Sequence, residues 1–155
     1  WVNDFDNLIV TRTFSKAYGL AALRIGYSLS HPDIANLLNR VRQPFNNNSL
    51  ALIAAEVALQ DTQYIRKSIE LNSDEMNKLI QAFDNMGLEY IPSKANFICV
   101  DFKQPSLEIY QNLLKAGVIV RPISDYGMPN HLRISIGLEH ENEKFINELD
   151  KIIVK

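Results

Sequence analysis

The chain has 155 residues, 46% of them hydrophobic, and 16 Lys+Arg against 18 Asp+Glu give a formal charge of −2. That apolar share supports a folded core and excludes a disordered or collagen-like chain, and a balanced charge without like-charge blocks advertises neither nucleic acid nor an anionic membrane as partner. The single cysteine, Cys99, excludes an intramolecular disulfide framework and fits a reducing, cytosolic compartment, while no apolar run approaches the roughly 20 residues that span a bilayer.

Strand and helix signals alternate from the start. Leu8-Ile9-Val10, leading into Thr11-Arg12-Thr13, reads as a buried strand, and Ile25 to Leu29 reads as a second one beyond Gly19. Ser30-His31-Pro32 resembles a helix start, and Ile34, Leu37, Leu38 and Val41 then fall on one helical face. Pro44 ends that helix, and Phe45-Asn46-Asn47-Asn48 is loop chemistry. Ser49 is a candidate cap for a helix through Leu59. A longer helical pattern carries Ile65, Ile69, Met76, Leu79, Ile80 and Phe83 and ends at Gly87. Beyond it, Leu88–Ile91, Phe97–Phe102, Val118–Arg121 and Leu132–Ile136 read as strands, with a helix from Ser106 to Lys115 and a last one from Glu141 to Val154.

The expected class is therefore α/β. The back half holds enough strands and helices for a complete lobe. The front half, with two short strands and two helices, cannot cover a sheet on both faces. With no initiator methionine before Trp1, the sequence is expected to be the C-terminal part of a longer protein.

The chemistry-bearing segment is Thr13-Phe14-Ser15-Lys16, placed directly after a strand end, where ligands gather in open α/β sheets. Thr13, Ser15 and Arg24 are suitable donors for an anion, and a desolvated lysine becomes a nucleophilic amine. By residue type alone, a lone lysine such as Lys16 is nearly always a solvated surface charge. Arg121, beside Pro122 at a strand end, also fits the surface. Arg133 alternates with Leu132 and Ile134, as on the wet face of a half-buried strand. Asn96 could be an ordinary turn residue. His31, His131 and His140 show no metal-ligand spacing and read as solvated loop residues, so no metal is expected. Cys99 reads as an inert small hydrophobe.

Spacing adds what residue type does not. Ser15-Lys16-Ala17-Tyr18-Gly19-Leu20-Ala21-Ala22-Leu23-Arg24-Ile25-Gly26-Tyr27 resembles the S-K-x-x-G-L-A-x-x-R-x-G-Y motif of the fold-type I, pyridoxal-phosphate-dependent aminotransferases. The segments Pro44 to Ala51, Ala95-Asn96-Phe97, Gly117 to Pro122 and Leu132 to Gly137 are similar to the branch that acts on histidinol phosphate. Threonine-phosphate decarboxylases and aromatic aminotransferases share much of the pattern.

The resemblance implies pyridoxal 5'-phosphate as cofactor, with Lys16 carrying it as a Schiff base and Ser15, Arg24 and Thr13 holding its phosphate. Arg133 matches the family's carboxylate-binding arginine, Arg121 a second arginine available to a substrate phosphate, and Asn96 a position near the substrate. It further implies a small-molecule amino donor and keto acid, a cytoplasmic homodimer joined through the large domain, and ring-binding partners upstream of this sequence. The implied domains are residues 1–60, the tail of the large cofactor-binding domain; 61–87, a linking helix; and 88–155, the small α/β C-terminal domain. Alternatives are phospho-amino-acid decarboxylation and an inactive fragment.

Overall fold

The structure is a computed structural model and describes residues 1–153. Two compact units divide the chain, one of residues 1–69 and one from Glu70 onward. In the first, β1 (Ile9–Thr13) pairs antiparallel with β2 (Gly26–Ser30). Next come α1 (Pro32–Val41), α2 (Ser49–Gln60) and the start of α3 (Thr62–Asn85). His31 caps α1, its Nδ1 accepting the Asp33 N–H at 3.3 Å, and Pro32 occupies the first turn, where no N–H is needed. Asn48, rather than Ser49, caps α2, with Oδ1 accepting the Ala51 N–H at 2.8 Å. Its side chain reaches the third backbone donor from an extended backbone, so the helix starts one residue after it.

This unit buries little. Phe14, Ile25, Ala51 and Ala55 form its core, while Leu50, Leu52, Ile53 and Val57 of α2 stand exposed. A helix apolar on every side is the kind found fully buried.

The second unit is a two-layer α/β sandwich. Its sheet has the order β3-β4-β6-β5, antiparallel throughout: β3 (Glu89–Ile91), β4 (Phe97–Asp101), β6 (His131–Ser135) and β5 (Arg121–Pro122). Val118–Val120 precede β5 but make no ladder, so that strand is shorter than the β-branched run suggests. Side chains alternate across the sheet. Ile98, Val100, Leu132 and Ile134 point into a core completed by Leu79 and Phe83 of α3, Leu113 of α4 (Leu107–Lys115) and Phe145 and Leu149 of α5 (Glu139–Ile153). Val154, the expected end of the last helix, lies outside the described residues. The opposite face carries Phe97, Cys99 and Asp101 on β4 and His131, Arg133 and Ser135 on β6.

Phe83 is fully buried and meets the Phe145 ring edge-on with centroids 6.1 Å apart. Phe83→Ala is expected to destabilise the unit by about 3–5 kcal/mol, because the cavity collapses only partly. Urea unfolding measures the loss, and a change below about 1 kcal/mol would contradict this packing.

One carboxylate lies inside the apolar layer. Glu75 of α3, 3% exposed, accepts from Lys78 Nζ at 2.7 Å and from Asn142 Nδ2 of α5 at 2.8 Å. These bonds, Lys78 first, hold its carboxyl below the ordinary value of 4.5 against the cost of burial. Lys78 also donates to Glu139 at 2.6 Å, and that bond with the one to Glu75 raises its own ionisation. Because Glu75 ionises lower folded than unfolded, its stabilisation is complete above pH 4.5 and is lost as pH falls below that value. Thermal melts across this range should therefore show a smaller acid loss in Glu75→Gln than in the parent. Parallel curves would contradict it.

Candidate active site

The segment between β1 and β2 is a tight loop rather than a plain turn. Phe14, buried, donates its N–H to Ile25 O at 3.2 Å and accepts the Leu20 N–H at 2.9 Å, closing the loop's base. Its ring packs on Tyr18 and Tyr27 at 4.8 and 5.8 Å. Two glycines are required here. Gly19 has φ +70° and faces the Tyr64 hydroxyl, which a Cβ would meet at 2.9 Å; at Gly26 a Cβ would come within 2.6 Å of Arg12 O in the paired strand. Tyr27, the last motif residue, packs rather than reaching a polar partner.

Within this loop the motif's polar groups converge. Arg24 Nη1 donates to Ser15 Oγ at 3.4 Å and to Ala21 O at 2.8 Å. Thr13 Oγ1 accepts the Ser15 N–H at 3.0 Å, which leaves its own O–H free to donate outward. Arg24 holds φ 54° and ψ 47°, a left-handed conformation uncommon for a residue with a side chain and costly by about 1–3 kcal/mol. That conformation folds its guanidinium back toward Ser15. Lys16 is exposed, next to this cluster, and forms no ion pair among the described residues. Two hydroxyls and a guanidinium within one loop fit a phosphate dianion, and a primary amine one residue away suits a carbonyl group on the same ligand.

The second unit gathers other predicted residues on the open sheet face. Arg121 and Arg133 stand directly opposite each other in the β5–β6 ladder. Two like charges in register repel, which an anion between them would relieve. The Arg133 guanidinium lies 4.9 Å from the centroid of the Phe97 ring, and its buried Nε has no hydrogen-bond partner. Arg121 is exposed, with Nη2 3.5 Å from the Tyr126 hydroxyl. Asn96 is exposed in the bend before β4, where its carbonyl accepts the Ile136 N–H at 2.9 Å. Burial pushes the Cys99 thiol up, opposed by Arg133 across the ladder, so it stays a protonated, unreactive group.

His131 departs from the loop expectation. It begins β6 opposite Asp101, is only 19% exposed, and its Nε2 lies 4.0 Å from that carboxylate. His140 is exposed, and no metal-holding group of side chains occurs among the described residues. No helix among these residues is long and apolar enough to cross a membrane. The sequence marks Phe97 as a strand start within the Ala95-Asn96-Phe97 segment, but not as the ring under Arg133.

The family model for aminotransferase class I and II matches residues 1–149, and the chain belongs to that family. Its α/β fold is that of the fold-type I aminotransferases.

Histidinol-phosphate aminotransferase 2 of Haemophilus influenzae (strain 86-028NP) is 60% identical over 149 residues, which cover 96% of this chain and 41% of that protein. The crystal structure of histidinol-phosphate aminotransferase from Sinorhizobium meliloti in complex with pyridoxal-5'-phosphate matches with a TM-score of 0.86 at 30% identity, covering 97% of this chain and 42% of that one. L-threonine-O-3-phosphate decarboxylase from Porphyromonas gingivalis matches with a TM-score of 0.84 at 26% identity, over 99% of this chain and 49% of that one. The chain thus spans 41% of the length of the curated relatives it matches.

Proposed function

We propose that the protein containing this chain moves an amino group between histidinol phosphate and 2-oxoglutarate or glutamate, using pyridoxal 5'-phosphate as carrier. The observation that carries the reading is the loop in which Ser15 Oγ lies 3.4 Å from Arg24 Nη1, one residue from Lys16. The 60% identity to a histidinol-phosphate aminotransferase supports the substrate.

Ser15, Arg24 and Thr13 would hold the cofactor phosphate, the guanidinium supplying charge and the hydroxyls direction. When bound, the cofactor supplies an electron-withdrawing ring that takes up the charge left when the substrate's Cα–H bond breaks. Lys16 Nζ would be the amine that holds the cofactor's aldehyde carbon, and as a free amine it would be the base that takes the proton from Cα. Arg133 holds the α-carboxylate of glutamate through a planar, two-pronged guanidinium and so orients Cα–H. Arg121 takes the phosphate of histidinol phosphate, and Asn96 is a further substrate-side residue.

Residues 1–60 would then belong to the large domain, 61–87 to a link and 88–155 to the small domain; the two compact units meet at Ile69 and Glu70, inside that link, and its second half packs into the core of the second unit. Assembly as a homodimer through the large domain is part of this proposal, and light scattering measures it.

Supplied with histidinol phosphate, 2-oxoglutarate and pyridoxal 5'-phosphate, the protein is expected to form glutamate without releasing CO₂. Release of CO₂ from threonine phosphate without glutamate formation would contradict the reading.

A further inference from the structure

Helix α3 presents Asn72 and Glu75 three residues apart, on one face. Asn72 Nδ2 donates to Ala95 O at 3.3 Å, in the bend that leads into β4. Glu75 Oε2 accepts from Asn142 Nδ2, and that same amide grips Gly137, its Nδ2 donating to Gly137 O at 3.1 Å and its Oδ1 accepting the Gly137 N–H at 3.0 Å. Gly137 ends the run from β6 into α5. The two gripped segments are themselves joined, since Ile136 N–H donates to Asn96 O and Phe97 pairs with Ser135. Arg133 lies two residues before Ser135 on β6, over the Phe97 ring.

One helix face therefore fastens both backbone segments that frame the Arg133 guanidinium. Glu75 and Asn142 are 3% and 4% exposed, and a buried carboxylate–amide pair is a costly way to fill space that apolar side chains would fill. What it supplies is direction. Its bonds fix Gly137 at both its N–H and its C=O, and so the two peptide groups that flank its Cα, which apolar contacts cannot do.

We propose that Asn72, Glu75 and Asn142 are positioning residues for Arg133, setting where its guanidinium meets the substrate's carboxylate; this rests on the reading of Arg133 as the carboxylate ligand. They touch neither substrate nor cofactor. Losing the grip displaces β6's end and the Asn96–Phe97 bend together, so the carboxylate is held less well in ground and transition states alike. That pattern raises KM and spares kcat.

The test is a double-mutant cycle in the complete enzyme, with KM for glutamate as readout. Asn142→Ala should raise KM by about tenfold to a hundredfold with kcat changed by no more than about twofold. In an Arg133→Ala background the same change should add nothing, because the group it positions is gone. Leu113→Val, a core change on α4, should lower the melting temperature without moving KM. If Asn142→Ala does not fold, Asn72→Ala, which removes one bond from a half-buried amide, takes its place in the cycle. An unchanged KM, or a rise that persists in full without Arg133, overturns the proposal. If Arg133→Ala itself leaves KM for glutamate unchanged, the reading of Arg133 falls and this inference with it. A KM raised by Arg133→Ala but not by Asn142→Ala removes only the positioning role.

Discussion

Lys16→Ala in the protein containing this chain is expected to lower the transamination rate by about 10⁴-fold or more, since on the proposed reading it removes both the cofactor's covalent anchor and the base at Cα. Lys16→Arg should lose nearly as much. A guanidinium keeps the charge but stays protonated, so it neither condenses with a carbonyl nor takes a proton. This second variant decides between the two readings of an exposed lysine. Were Lys16 a solvated surface charge, arginine would serve equally and rates would stay within about twofold. Neither change should disturb the loop around it, because the bonds that close the loop run through Phe14, Leu20 and Ile25. Pre-steady-state and steady-state rates, with melting temperatures alongside, measure the effect.

The second large effect is expected at Arg133. Among the described residues no carboxylate pairs with it, its Nε is unpartnered, and Phe97 supports it from one side. An arginine kept in that condition is available to a ligand. Arg133→Ala should reduce kcat/KM for glutamate by about 10²-fold or more, equivalent to ~3 kcal/mol, mostly through KM. Arg133→Lys should recover only part of this, because a point charge cannot grip both carboxylate oxygens. Phe97→Leu should cost less, about 0.5–2 kcal/mol of lost cation–π support. Steady-state kinetics with glutamate varied would settle the order. Equal KM values for the parent and Arg133→Ala would contradict the assignment.

What could be read from the sequence follows the range over which each signal acts. Ser15, Lys16 and Arg24 are legible because their arrangement is local: glycines at 19 and 26 and a serine–arginine spacing of nine constrain one loop. The amphipathic faces of α1, α3 and α5 and the alternating strands β4 and β6 are legible for the same reason. The α2 cap shifted by one residue because Asn48 and Ser49 are both good caps and only the backbone angles decide between them. Val118–Val120 look like a strand, yet the ladder begins only at Arg121, since pairing depends on a partner rather than on β-branched content.

The facing of Arg121 and Arg133 was not legible, because it is a property of register in an antiparallel ladder. Nor was the partially buried setting of His131, whose place opposite Asp101 comes from the same register. The Glu75–Asn142 bond joins residues 67 positions apart, and nothing in the helical pattern of α3 separates a buried glutamate from its exposed neighbours.

The most direct measurement is the site of covalent cofactor attachment. The protein is incubated with pyridoxal 5'-phosphate, reduced with borohydride, digested and mapped by mass spectrometry. A single borohydride-stable adduct on the peptide bearing Lys16, absent in Lys16→Ala, is the predicted result. No adduct, or one spread over exposed lysines with Lys16 unmodified, would contradict the account.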